Sequence, residues 1–150
     1  MQETLEQRYA LIDELLTGTF NSVLRIEERV LENRLTRGLT ITEIHAVVAV
    51  GYRESNPMNV VAARLGVTLA TLTTTAARLE EKGYVVRTRD ERDRRKVLIS
   101  LTTRGREVYR AHGLFHKHMV QSALAGLSEE EQEVLARSLG QVKEFFDEQA

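Results

Sequence analysis

The chain has 150 residues, 42% of them hydrophobic, which suits one domain or one small domain with dimerisation arms and is enough for a soluble core. It has no Cys, which excludes disulfides, thiolate metal sites and a cysteine redox switch. No apolar run approaches membrane-spanning length, and the opening Met1-Gln-Glu-Thr-Leu-Glu is acidic rather than signal-like, so a cytoplasmic protein with no membrane partner is expected. The net charge of −1 conceals segregation. Tyr84 to Lys117 holds ten Lys and Arg against four acidic residues, and His118 to Ala150 holds two against seven. Basic charge is gathered where a phosphate backbone would lie, and the acidic end is kept from it.

Leu5 to Leu35 reads as one long helix. Ile12, Leu15, Leu16, Phe20, Val23, Leu24, Glu27, Val30 and Leu31 recur at three- and four-residue steps, with Gly18 an internal weak point. Leu35-Thr-Arg-Gly-Leu breaks it. Thr40-Ile-Thr-Glu43 matches a capping box and opens a short apolar helix, Ile41 to Val50, expected to bury Ile44, Val47, Val48 and Val50. His45 in this helix reads as structural. Gly51 ends the helix, Arg53 to Pro57 reads as a loop, and Pro57 suits the opening of a helix from Met58 to Leu65.

Val60 to Leu101 organises the rest. Gly66 sits where a left-handed residue ends one helix, and Thr68 where a hydroxyl caps the next. Leu65, Val67, Leu72, Ala76 and Leu79 fall on one face and would hold the pair together. The opposite face carries Ala70, Thr71, Thr73, Thr74 and Arg78, small and polar enough to approach base edges. Five Thr between Thr68 and Thr75 cost helix propensity, as a surface kept for contact would. Tyr84 to Arg89 and Val97 to Leu101 are β-branched runs flanking a polar loop. That loop holds Arg92, Arg94, Arg95 and Lys96, interleaved with Asp90, Glu91 and Asp93 that can turn it and pair some of the Arg. Together these make a helix-turn-helix with a two-stranded wing over residues 40–101, a means of placing one helix in a DNA groove and an arm on the next. The bland alternative is an exposed helix beside a solvated hairpin.

After the wing, Thr102 is placed to cap a helix from Thr103 to about Ala125 in which Gly105 and Gly113 are tolerated. Val108, Phe115, Met119, Val120 and Leu124 offer its apolar face. Ser128-Glu-Glu-Glu131 is a second capping box, opening a last helix that carries Val134, Leu135, Leu139, Val142, Phe145 and Phe146 to about Glu148. The fold class expected is therefore mainly α (α+β): a winged helix-turn-helix lobe with helices 5–35 and 103–148 forming a dimerisation lobe. Three apolar faces exceed what one small lobe covers. A two-fold homodimer is the simplest solution, a monomer with a helical cap the alternative.

His112 and His116 stand four residues apart on one helix face, a workable zinc spacing that Glu107 and His45 would join only if the fold brings them close. The motif is short and thiolates are absent, so no metal or other cofactor is expected. No H-E-x-x-H, phosphate-loop, G-x-S-x-G or CxxC motif is present, so an enzyme is not expected either. A helical adaptor binding protein through its acidic end is the other non-enzymatic reading, but it leaves the wing without a purpose.

LEEKGYVVRTRDERDRRKVLISLTTRG resembles the winged-helix signature of MarR-type transcriptional regulators: helix end, strand, an Asp93-Arg94-Arg95 wing tip, then Leu101-Thr102 and Gly105. The likeness runs from about Ile12 to Phe146. Within the family, VTLATLTTTAARLEEKGY and AHGLFHKHMV are similar to the repressors of bacterial fatty-acid synthesis genes. The resemblance implies a homodimeric regulator on double-stranded DNA, with long-chain acyl-acyl carrier protein as effector. That effector would need an apolar tunnel, and Leu16, Phe20, Leu24, Val108, Phe115 and Met119 either line one or are close-packed core. Arg104, Arg106, Arg110 and Lys117 either meet the acidic carrier or contact phosphates. A regulator answering to a small aromatic ligand or to zinc is the alternative within the family.

Overall fold

A computed structural model describes residues 4–31 and 36–149. Its elements are α1 (Leu5–Leu31), α2 (Ile41–Val50), β1 (Asn56–Pro57), α3 (Met58–Leu65), α4 (Leu69–Glu81), β2 (Val85–Arg89), β3 (Val97–Leu101), α5 (Thr103–Leu124) and α6 (Glu129–Gln149). The chain divides into two compact units, Met1–Phe115 and His116–Ala150. The predicted end of α1 at Leu35 and the side chains of Val30 and Leu31 lie outside the described residues. No single described helix is long and apolar enough to cross a membrane.

In the first unit the core is made where α2, α3 and α4 turn their apolar faces on one another and on the sheet. Val47, Val61, Leu72, Ala76, Leu79, Val85 and Ile99 are sealed from solvent there. Ala46 is fully buried and Val48 only half-buried, against expectation, because the buried stripe of α2 runs through Ile44, Val47 and Val50 and rotates past Val48. Val108 of α5 enters the same core, and Phe115 packs against it. The compact unit therefore exceeds the expected 40–101 lobe, taking in α1 and the first half of α5.

The wing is a three-stranded sheet in the order β1-β3-β2 rather than a two-stranded one. β2 and β3 pair antiparallel from Val85↔Leu101 to Arg89↔Val97. Asn56 and Pro57, expected to be loop, add a short antiparallel strand against Ile99 and Leu98. Two residues carry no alternation for a sequence pattern to detect. Pro57, with no N–H to give, is admissible because β1 is an edge strand.

Both capping boxes form. Thr40 Oγ1 accepts Glu43 N while Glu43 Oε2 accepts Thr40 N, and Ser128 and Glu131 make the same exchange at α6. Thr102 caps α5, its Oγ1 accepting Gly105 N and donating to Gly83 O. Gly105 is a requirement rather than a tolerated cost. Helix α5 crosses the Tyr84 backbone so closely that a Cβ at position 105 would stand 2.1 Å from Tyr84 O. α1 runs unbroken through Gly18.

In the second unit α6 buries none of its side chains; Val134, Leu139, Phe145 and Phe146 are each half-exposed or more. α1 likewise leaves Leu15, Leu16 and Phe20 exposed. The apolar stripes read from the sequence are real, and a single chain does not cover them.

Candidate nucleic-acid interface

The turn between α3 and α4 follows from two residues. Gly66 adopts φ +70, a left-handed conformation that glycine enters without a Cβ penalty. Gly66 N and Val67 N then donate to Ala63 O and Ala62 O, closing the end of α3. Thr68 is extended and its Oγ1 accepts Thr71 N, opening α4 two residues later. The helices are bent by 103°, within the range of a helix-turn-helix. Leu72, Ala76 and Leu79 hold α4 down, with Leu65 and Val67 against the core. Thr68, Ala70, Thr71, Thr73, Thr74 and Arg78 are all exposed, as the helical phase predicts.

Glu80 ties α4 to the wing. Its Oε1 accepts Arg87 N, and its Oε2 accepts Arg87 Nε and Nη2 at 3.0 and 2.7 Å. The Arg87 side-chain and backbone hydrogen bonds, together with its charge, hold the Glu80 carboxyl below the usual carboxylate value against the opposing effect of burial. At the same end of α4, the C-cap residue Lys82 donates from Nζ to both Glu43 carboxylate oxygens at 2.8 Å and to Gly38 O. Burial raises the Glu43 pKa. The Lys82 and Thr40 hydrogen bonds, with the charges of Lys82 and Arg78, outweigh it and leave the group lowered. Neither pairing is legible in the sequence, which shows Glu43 only as a cap.

The wing loop is organised by its aspartates. Asp90 Oδ1 accepts Arg92 N, and Asp93 Oδ1 accepts Arg95 N and Nε at 3.2 Å. Arg92, Arg94, Arg95 and Lys96 are all exposed, and the Arg95 side chain is 93% so. Among the described residues, the side chains of Arg92, Arg94 and Lys96 make no ion pair. Beyond the wing, Arg104 stacks on the Tyr84 ring and donates to Lys82 O and Tyr84 Oη, while Arg106 donates to Leu101 O and Thr103 Oγ1. These two arginines brace the wing against α5.

Of the expected tunnel residues, Val108 and Phe115 belong to the core, Leu24 and Met119 are half-buried, and Leu16 and Phe20 are exposed. A cleft of about 570 Å³ lies elsewhere, between Glu28 of α1, the Thr36–Thr40 turn and Ile41 and Ile44 of α2.

A second constellation joins α1, α2 and α5. Glu27 is 2% exposed. Its Oε1 faces His112 Nε2 at 2.6 Å and His45 Nε2 at 3.1 Å, and the two imidazoles meet edge to face. Sequence spacing puts His112 in a candidate metal pair, with Glu107 and His45 as its conditional company. The fold brings in His45, but the carboxylate is Glu27, which the helical pattern counts as a member of an apolar stripe.

A capped helix standing out from a helix-turn-helix beside an arginine-tipped wing defines a winged-helix DNA-binding protein. The MarR family matches over residues 39–97. FabT from Streptococcus pneumoniae, whose structure is in complex with DNA, is similar at 39% identity and a TM-score of 0.89, covering 95% of this chain and 99% of that one. The transcriptional regulator SlyA is similar at 27% identity and a TM-score of 0.74, covering 92% and 95%. The HTH-type transcriptional regulator SarZ of Staphylococcus saprophyticus is 39% identical over 70 residues, so the chain spans about half the length of that curated relative. The chain belongs to the MarR family. It is a transcriptional regulator with a DNA-binding fold, not an enzyme.

Proposed function

We propose that the protein is a homodimeric repressor that binds an inverted repeat in double-stranded DNA. The observation that carries the reading is the capped, exposed threonine face of α4 beside the exposed Arg92, Arg94, Arg95 and Lys96 of the wing. Thr68, Ala70, Thr71, Thr73, Thr74 and Arg78 meet major-groove edges, and the wing arginines take phosphates or the narrow minor groove. The uncovered apolar faces of α1 and α6 support a second copy as partner. Two recognition helices then stand roughly 34 Å apart, one turn of DNA. By the resemblance of VTLATLTTTAARLEEKGY and AHGLFHKHMV to fatty-acid synthesis repressors, the regulon is fatty-acid synthesis and the corepressor a long acyl chain on acyl carrier protein. The effector sets the spacing of the two lobes, and the spacing decides whether both dock.

The buried carboxylate–histidine cluster favours a second reading, a zinc-responsive regulator. Glu27, His45 and His112 each offer one ligand atom, all within 4.8 Å of one another. Zinc bonds of about 2.0–2.1 Å place ligand atoms about 3.3 Å apart, so the 2.6 and 3.1 Å separations from Glu27 would open slightly and any pair near the 4.8 Å limit would close. Zinc binds only unprotonated ring nitrogens and an ionised carboxylate, so its binding would weaken as pH falls.

The test is selection from random duplex DNA at moderate salt, repeated with acyl-loaded carrier protein and with zinc. An enriched inverted repeat with half-sites about one turn apart supports the reading. Enrichment that needs the acyl carrier or zinc names the effector. No enrichment under any condition overturns the repressor reading in favour of a protein-interaction role.

A further inference from the structure

The threonines of α4 use their protons on the helix itself. Thr73 Oγ1 donates to Leu69 O at 2.7 Å, Thr74 Oγ1 to Ala70 O at 3.3 Å and Thr75 Oγ1 to Thr71 O at 3.1 Å. Thr68 and Thr71 hydroxyls stand 2.9 Å apart and share one proton between them, while Thr68 Oγ1 also accepts Thr71 N. A threonine hydroxyl has one proton and two lone pairs. Of the five hydroxyl protons from Thr68 to Thr75, four are therefore spent inside the helix. What remains to meet a ligand is one hydroxyl proton of the Thr68–Thr71 pair, acceptor lone pairs, and methyl groups with that of Ala70 among them.

Major-groove bases differ in what they ask of such a surface. Guanine shows two acceptors, N7 and O6, and needs a donor. Thymine shows a 5-methyl group, and adenine and cytosine show an amino donor. The one basic residue in α4 is Arg78, at its far end from Thr68.

We propose that the face of α4 carrying Ala70, Thr73 and Thr74 reads thymine through its 5-methyl group and amino-bearing bases through accepted hydrogen bonds, leaving any guanine contact on this helix to Arg78 and to the one unspent proton of the Thr68–Thr71 pair. The inference rests on α4 being the recognition helix and says what kind of half-site it takes: a core rich in A·T pairs, with thymine methyls packed against Ala70 and the γ-methyls of Thr73 and Thr74. A helix face of back-bonded threonines thus has a base preference that the residue names do not announce. Threonines in general can donate as well as accept, and at Thr73 and Thr74 the helix has taken the donor away.

The experiment starts from the half-site recovered by selection. Deoxyuridine replaces thymine at each half-site position in turn, removing only the methyl group, and affinity is followed by fluorescence anisotropy. The wild-type protein loses about fourfold at one or more positions, the value of one buried methyl group. Thr73→Val keeps the methyl and drops the hydroxyl, and still prefers thymine to deoxyuridine by the wild-type factor whatever its absolute affinity. Thr73→Ser keeps the hydroxyl and drops the methyl, and no longer distinguishes thymine from deoxyuridine at one position. Thr74→Val and Thr74→Ser repeat the comparison, and circular dichroism shows that each variant folds. Specific binding that ignores every deoxyuridine, or a thymine preference that Thr73→Val and Thr74→Val both abolish, overturns methyl reading while leaving the DNA-binding assignment intact. Failure to recover any half-site overturns that assignment, and the methyl reading with it.

Discussion

Replacing Gly105 by alanine puts the closest packing in the DNA-binding unit under direct test. The added Cβ would stand 2.1 Å from Tyr84 O and 3.2 Å from Leu101 Cβ. The first neighbour is backbone, and its carbonyl is engaged, accepting Thr102 N at 3.1 Å. Helix α5 must therefore move by about 1 Å from the strand pair, at the upper end of the 1–3 kcal/mol typical of overpacking. Weakening the Thr102–Tyr84 bond adds about 1 kcal/mol. Removing a glycine from a helix returns about 1 kcal/mol. The net expectation is a loss of about 2–3 kcal/mol. Gly113 is the internal control, since its Cβ would meet nothing within 4 Å, and Gly113→Ala should gain up to about 1 kcal/mol. Urea unfolding at one fixed protomer concentration measures both, because a dimer's stability depends on concentration. If Gly105→Ala proves as stable as Gly113→Ala, the close crossing of α5 over Tyr84 is wrong.

Arg95→Ala should weaken binding on every DNA sequence alike and lower the slope of log affinity against log salt by about one unit for each phosphate that Arg95 neutralises; unchanged affinity and slope would refute the wing's role. Glu43 and Glu80 both have folded pKa values below the usual 4.5. A depressed carboxylate pKa contributes stability that is complete above the unfolded value and lost as pH falls through the folded one. Melting temperature should accordingly drop below pH 4.5, and a Glu43→Gln, Glu80→Gln double variant should start lower and drop less steeply. Equal acid slopes in the two proteins would count against these pairings. Glu27→Ala leaves two imidazoles without their shared acceptor and should cost about 2–4 kcal/mol in urea unfolding. Glu27→Ala should also abolish any zinc-induced rise in melting temperature, and a rise that survives it would place the metal elsewhere.

Most of the fold is local in origin, and local signals are what a single sequence carries. The caps at Thr40, Thr68, Thr102 and Ser128 need only a hydroxyl and a neighbour three residues on, and all four form. The α4 face follows from helical phase, so its exposed threonines are legible. β1 is not, because two residues have no period and its pairing depends on β3, about forty positions away. The same limit hides the role of Gly105. Its helical neighbours explain nothing, and the carbonyl that forbids a side chain there belongs to Tyr84.

Charge is harder to read than apolarity, because a charged residue's role is set by its partner. Glu27 sits at the right phase to face inward on α1, and an amphipathic pattern has no means of saying what a carboxylate would find there. It finds His45 from 18 positions away and His112 from 85. A buried carboxylate is tolerable only with such partners. The break in the apolar stripe is itself the signal: an acidic residue in phase with Phe20, Val23 and Leu24 requires a donor from another element. The chain offers His45 in an apolar helix with no other evident task. By the same reasoning Arg104 and Arg106, which in the sequence count as free positive charge, are spent on carbonyls and an aromatic face at the base of the wing. The basic surface left for DNA is narrower than the charge count suggests. It lies at the wing tip, where Asp90 and Asp93 bind the loop backbone and Arg92, Arg94, Arg95 and Lys96 stay exposed.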